Sequence, residues 1–306
     1  MISNRSARVY CSLAILAWNT RRHCASAFLV SATPAFISNP TIINGNVAFQ
    51  SSNKKRGFAS SAPLAMSDQT EVDVASNLEQ VRERLVKACE DAGRDPAQVR
   101  LVAVSKTKPL KLLKDAYANG QRVFGENYVQ ELVEKAKDFG EDDLEWHFIG
   151  ALQSNKANLL VKSVVPHGKL VVETVSSLKS ANKLNSAMSE FEGKKLDIFV
   201  QVNTSDEDTK NGVQPNEVAE LCQQISKECE CLNIKGVMTI GAPGDLSCFD
   251  TLVECRTKVA DALSMDVADL SLSMGMSGDF EDAIAKGSTN VRVGSTIFGD
   301  RDYSKK

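Results

Sequence analysis

Eight short apolar runs, rich in β-branched residues, alternate with longer stretches of helical period along this 306-residue chain, and that alternation constrains the fold more than any other feature. The runs span residues 100–105, 122–125, 146–150, 170–174, 196–203, 234–240, 269–274 and 290–294. Helical stretches, with apolar residues three or four apart, cover 72–92, 110–119, 129–139, 178–191, 217–228 and 249–263. Eight strand-helix units in about 235 residues fit a closed single-domain α/β fold, the (β/α)8 or TIM barrel. An open doubly wound sheet is the alternative, but its usual G-x-G-x-x-G loop after the first strand is absent.

In such a barrel, functional groups gather where strands end, so the residues that follow each run matter most. Ser105-Lys106-Thr107-Lys108 follow the first run, Glu126-Asn127 the second, Gln153 to Lys156 the third and Ser273 to Ser277 the seventh. Lys106 comes straight after Leu101-Val102-Ala103-Val104, which aims its ammonium into the barrel mouth. A desolvated lysine there loses its proton more readily and can attack an aldehyde. Read from the local residues alone, a solvated strand-end lysine is the ordinary outcome.

Near the carboxyl end, two Gly-Ser-Thr turns, at 287–289 and 294–296, flank the last run. Glycine lets backbone N–H groups approach an anion, and the loops after strands seven and eight are the usual phosphate site of these barrels. Two ordinary turns are the competing reading. No metal site is expected, because the only close cysteine pair, Cys229 and Cys231, lacks zinc-ligand spacing and the chain has only three histidines.

Several motifs then occur in order: Val102-Ala103-Val104-Ser105-Lys106-Thr107-Lys108-Pro109, Phe124-Gly125-Glu126-Asn127-Tyr128, Trp146-His147-Phe148-Ile149-Gly150, Leu152-Gln153-Ser154-Asn155-Lys156 and Leu272-Ser273-Met274-Gly275-Met276-Ser277. Across residues 75–303 the chain resembles the pyridoxal phosphate homeostasis proteins, whose fold is that of the alanine racemase N-terminal barrel. The resemblance implies pyridoxal 5′-phosphate (PLP) as cofactor and Lys106 as its Schiff-base lysine. It places Ser277, Gly294 and Ser295 around the phosphate, Arg292 against the pyridine nitrogen and Asn127 in the pocket. Met238 and Met274 are further contacts on this reading, although a methionine at a strand end ordinarily packs. Ala151 departs from the pattern, where the family usually has His or Pro. His147 is expected to be a hydrogen-bonded structural histidine and Trp146 a barrel-wall residue.

An arginine at the ring nitrogen disfavours its protonation and weakens the ring as an electron sink. The related racemases add a second β domain that supplies another base, whereas here seven residues follow Gly299. The first expectation is therefore cofactor handling without robust turnover: PLP buffered against free amines and thiols, and delivered to apo-enzymes. A PLP-dependent racemase-like or decarboxylase-like enzyme and a barrel that binds a phosphorylated metabolite non-covalently are the alternatives. A monomer is expected.

Residues 1–67 contain no Asp or Glu but seven of the 36 Lys and Arg, which reads as an organelle transit peptide. Lys54-Lys55-Arg56-Gly57-Phe58-Ala59 resembles a mitochondrial processing site, so the mitochondrion is expected. A plastid, or the cytoplasm if translation starts at Met66, are the alternatives. All 39 acidic residues lie beyond this segment, leaving the barrel at about −10, a poor match for nucleic acid. No apolar run reaches the roughly 20 residues that span a bilayer.

Overall fold

A computed structural model describes residues 72–205 and 211–300. The expected transit segment, residues 1–67, lies outside the described residues.

Strands β1 (Arg100–Val104), β2 (Val123–Glu126), β3 (Glu145–Phe148), β4 (Lys169–Val175), β5 (Leu196–Gln201), β6 (Leu232–Met238), β7 (Ser271–Met276) and β8 (Asn290–Val293) form a closed barrel in sequence order. Every neighbouring pair is parallel, and the ring closes by β1 pairing with β8, Val102 opposite Arg292 and Ala103 opposite Val293. Before β1 runs α1 (Val74–Asp91), and α2 (Leu110–Ala118), α3 (Val129–Phe139), α4 (Ala157–Val164), α5 (Leu178–Met188), α6 (Val218–Glu228), α7 (Ser247–Leu263), α8 (Phe280–Ala285) and α9 (Ser295–Phe298) follow their strands. No described helix is long and apolar enough to cross a membrane.

The elements obey local chemistry. Asp73 caps α1 by accepting the Ser76 N–H at 3.0 Å, satisfying one of the orphan donors of a first turn. Pro109 occupies the cap position of α2 in extended geometry, so the chain leaves β1 and enters the helix without a free N–H to bury. Gly140, left-handed at φ 86°, stops α3. Asn77 Nδ2 donates to the Ile297 carbonyl at 3.1 Å, tying α1 to α9.

Most of the core lies between the barrel wall and the helices, where Phe124, Trp146, Phe148, Val172, Leu272 and Val293 meet the apolar faces of the helices. The Trp146 ring lies tilted 5.7 Å from Phe124 and edge-to-face 5.9 Å from Phe139, contacts worth about 0.5–1.5 kcal/mol each beyond burial. The barrel interior is different. Val171, Phe199 and Met238 form one apolar cluster there, and the other inward positions include Val102, His147, Glu173, Ser273 and Arg292, all buried.

Candidate functional site

At the carboxyl ends of the strands a cavity of about 540 Å³ opens into the barrel, within the ordinary size range for a cofactor site. Lys106 stands on its wall just past β1. The turn that carries it is anchored from below: Ser105 is fully buried and its Oγ donates to Glu126 Oε1 at 2.6 Å. Lys135 of α3 donates to the Ser105 carbonyl at 2.7 Å, to Glu126 Oε1 at 2.7 Å and to Glu131 Oε1 at 2.6 Å. Glu131 Oε1 in turn accepts the Thr107 N–H at 2.6 Å. Thr107 adopts φ 61°, a left-handed conformation that a β-branched residue rarely takes. That bend lets Lys106 and Lys108 both face the cavity, and Lys108 Nζ also reaches the Asp300 carbonyl at 2.5 Å. Burial pushes the Glu126 carboxyl above its ordinary value even though Lys135 and Ser105 favour its ionised form.

Arg292, on β8 next to β1, forms another part of the wall. Its Nη1 donates to Ser273 Oγ and its Nη2 to the Thr239 carbonyl, both at 2.6 Å. Burial lowers the pKa of the guanidinium, with Glu173 and Asp279 acting in the opposite sense. Ser277, Gly278, Gly294 and Ser295 make the adjoining rim. Ser277 Oγ accepts the Gly294 N–H at 3.1 Å, so the loops after β7 and β8 are joined there. A Cβ on Gly294 would lie 3.1 Å from the Val104 carbonyl oxygen, so the backbones pass closely at this crossing. Asn127 also lines the cavity, and its Oδ1 is buried without a hydrogen-bond partner, an acceptor that a bound group could satisfy.

The structure therefore brings Lys106, Asn127, Ser277, Arg292, Gly294 and Ser295 to one cavity. Met238 and Met274 are not on its wall. Met238 belongs to the inner apolar cluster, while Met274 is fully buried in the layer between barrel and helices, because it alternates with inward-facing Ser273. The first Gly-Ser-Thr turn also falls elsewhere. It precedes β8 and so sits at the amino-terminal floor, where Thr289 O accepts the Arg100 N–H at 2.8 Å and Ser288 donates to the Met274 carbonyl at 2.7 Å. Only the second turn reaches the mouth, opening α9. Lys108, Ile149 and Asp300 are additions to the expected set. Of these, Lys108 carried a signal, being two residues past Lys106 on the same turn. His147 is buried and hydrogen-bonded at both ring nitrogens, in keeping with a structural histidine.

The cavity wall thus offers an amine, a guanidinium, and a hydroxyl beside glycine-rich backbone. The family model described as "Alanine racemase, N-terminal domain" matches residues 76–302. The pyridoxal phosphate homeostasis protein of Bos taurus is 46% identical over 255 residues, covering 79% of this chain and 92% of that protein. This chain belongs to the pyridoxal phosphate homeostasis protein family. The Escherichia coli (strain K12) member is 42% identical, covering 76% of this chain and 99% of its own length. Among solved structures, PipY of Synechococcus elongatus with PLP bound superposes at a TM-score of 0.60 with 33% identity, covering 74% of this chain and all of PipY.

Proposed function

We propose that this barrel holds pyridoxal 5′-phosphate in the cavity at its mouth, bonded through Lys106, and serves the homeostasis of that cofactor. The observation that carries the reading is the pairing of β1 with β8, which sets Lys106 and Arg292 on the wall of the same cavity, beside Ser277 and Gly294. When bound, the cofactor supplies a reactive aldehyde and an electron-accepting ring. The chain's own residues do the rest. Lys106 offers the amine, and the anchored turn beneath it fixes where that amine stands. Ser277, with the backbone of Gly294 and Ser295, receives the phosphate. Arg292 faces the ring nitrogen with hydrogen bonds already committed to Ser273 and Thr239. A guanidinium donates and does not accept, so it holds that nitrogen unprotonated and discourages carbanion chemistry. This favours storage and delivery over turnover.

Delivery to apo-enzymes, a monomeric state and a mitochondrial address for residues 1–67 are parts of the same proposal. Purified protein mixed with PLP is expected to gain a visible absorbance band that borohydride abolishes, with the reduced adduct mapped to the peptide containing Lys106. Absence of the band, or an adduct on another lysine, refutes the assignment. Transfer to an apo-enzyme is read by recovery of that enzyme's activity, oligomeric state by light scattering, and the address by fusing residues 1–67 to a fluorescent protein.

A further inference from the structure

The barrel interior carries a second constellation that the cavity reading leaves unused. Glu145 opens β3 at the floor, and His147 follows on the same inward face. The Nε2 of His147 lies 2.9 Å from Glu145 Oε1, and its Nδ1 is hydrogen-bonded to Glu173 Oε1 on β4. The line continues upward through Ser273 of β7, whose Oγ donates to Glu173 Oε2 at 2.5 Å and accepts from Arg292 Nη1 at 2.6 Å. Arg292 itself stands 4.0 Å from Glu173 Oε2 and opens onto the cavity. Below, Glu145 meets the half-exposed Arg100 at 3.0 Å and Lys169 at 3.6 Å.

Charges alternate in sign along this line, from Arg100 and Lys169 through Glu145, His147 and Glu173 to Arg292. Asp197 completes the floor by pairing with Lys169 at 3.0 Å, and Asp279 acts on Arg292 from the β7 side. A buried imidazole between two ionised carboxylates donates at both ring nitrogens, which only the imidazolium does. Burial works against that charge, but the hydrogen bonds and charges of Glu145 and Glu173 hold the pKa of His147 above its ordinary value. The same contacts hold Glu173 below its ordinary value against the effect of burial. Interiors of such barrels are normally filled by layers of branched apolar side chains, which stabilise at least as well as buried ions. Here buried polar and charged side chains share the interior with apolar ones, and the charged line ends on the cavity wall.

We propose that Glu145, His147, Glu173 and Ser273 form a positioning relay that runs from the barrel floor to Arg292, clamping its guanidinium and setting the electrostatics of the cavity it faces. The ligand half of this proposal rests on the PLP reading above, and the protein half does not.

The test has two arms. In ligand-free protein, the imidazole nitrogens of the three histidines, with His147 assigned through His147→Gln, are followed by 15N NMR from about pH 5 to pH 9. His147 is expected to stay doubly protonated across neutral pH, and the Arg292 Nη signals to be separate, as in a guanidinium that cannot rotate. Ser273→Ala should merge those signals, and Ser273→Thr, which keeps the hydroxyl, should restore them. A neutral His147 tautomer at about pH 7, or Arg292 signals unchanged in folded Ser273→Ala, overturns the relay. In the second arm the PLP-loaded protein is titrated spectrophotometrically. Ser273→Ala and Glu173→Gln are expected to shift the band or its pH midpoint and to weaken binding about 5- to 30-fold, whereas Ser273→Thr keeps the parent spectrum. Identical spectra and affinities in folded variants also count against it. If the parent protein takes up no PLP, the cavity reading fails while the first arm still decides the relay.

Discussion

Replacing Lys135 with methionine tests whether the turn bearing Lys106 is held by a buried ion pair. Methionine keeps most of the volume and removes only the ammonium. Lys135 is 8% and Glu126 0% exposed, and their 2.7 Å contact is the main compensation for a carboxylate whose Oε2 already has no partner. Breaking one side of such a pair leaves an uncompensated buried charge, at about 3–5 kcal/mol. With a urea slope of about 2–3 kcal/mol per molar for a barrel of this size, the unfolding midpoint should drop by about 1–2.5 M. The pH dependence has a definite sign. Burial already raises the Glu126 pKa in the parent, and losing Lys135 raises it further. The folded variant then binds a proton that the unfolded chain releases, so the deficit should shrink as pH falls from neutrality toward the ordinary carboxylate range. Adding Glu126→Gln should recover much of the loss. A midpoint equal to the parent's, or a deficit that grows on acidification, would refute the reasoning.

Lys106→Ala should lose the visible band with PLP while far-UV circular dichroism and the urea midpoint stay near the parent's, since a partly exposed rim lysine contributes within about 0.5 kcal/mol to stability. Ser277→Ala should weaken PLP retention by about 1–2 kcal/mol in equilibrium dialysis, and equal affinities would remove Ser277 from the phosphate site. Glu145, although burial opposes its charge, is held at about 2 by His147, Arg100 and Lys169, against an ordinary 4.5. Its stabilisation, about 2–3 kcal/mol, should be complete above the ordinary value and vanish as pH falls through the lowered one. Urea midpoints of parent and Glu145→Gln should therefore converge in acid. Gly150→Ala puts a Cβ 1.9 Å from the Asn127 carbonyl oxygen, so it should cost about 2–3 kcal/mol in urea unfolding.

The eight strands were legible because each run is short, apolar and bounded by turn residues, and every one falls within two residues of its expected start. Lys106 was legible for the same reason, as the polar residue after an apolar run. Side-chain direction was not. A barrel strand is buried on both faces, so the alternation that separates inside from outside on a half-exposed sheet is lost. Leu272, Ser273 and Met274 look equivalent in one dimension, yet Ser273 faces the interior and Met274 the helices. For the same reason Glu173 passed as part of an apolar run, although it links His147 to Ser273. Helix α4 was not singled out, because its eight residues are too few to display a clear period.

The seam where β1 meets β8 joins the first and last strands of the barrel, with the amine beside one and the guanidinium on the other. Four of the six groups proposed to bind, at Ser277, Arg292, Gly294 and Ser295, thus meet Lys106 only once the chain has come full circle. A partly folded or truncated barrel would present Lys106 with nothing opposite it, so ligand uptake reports that the ring is shut and, by mass action, helps keep it shut.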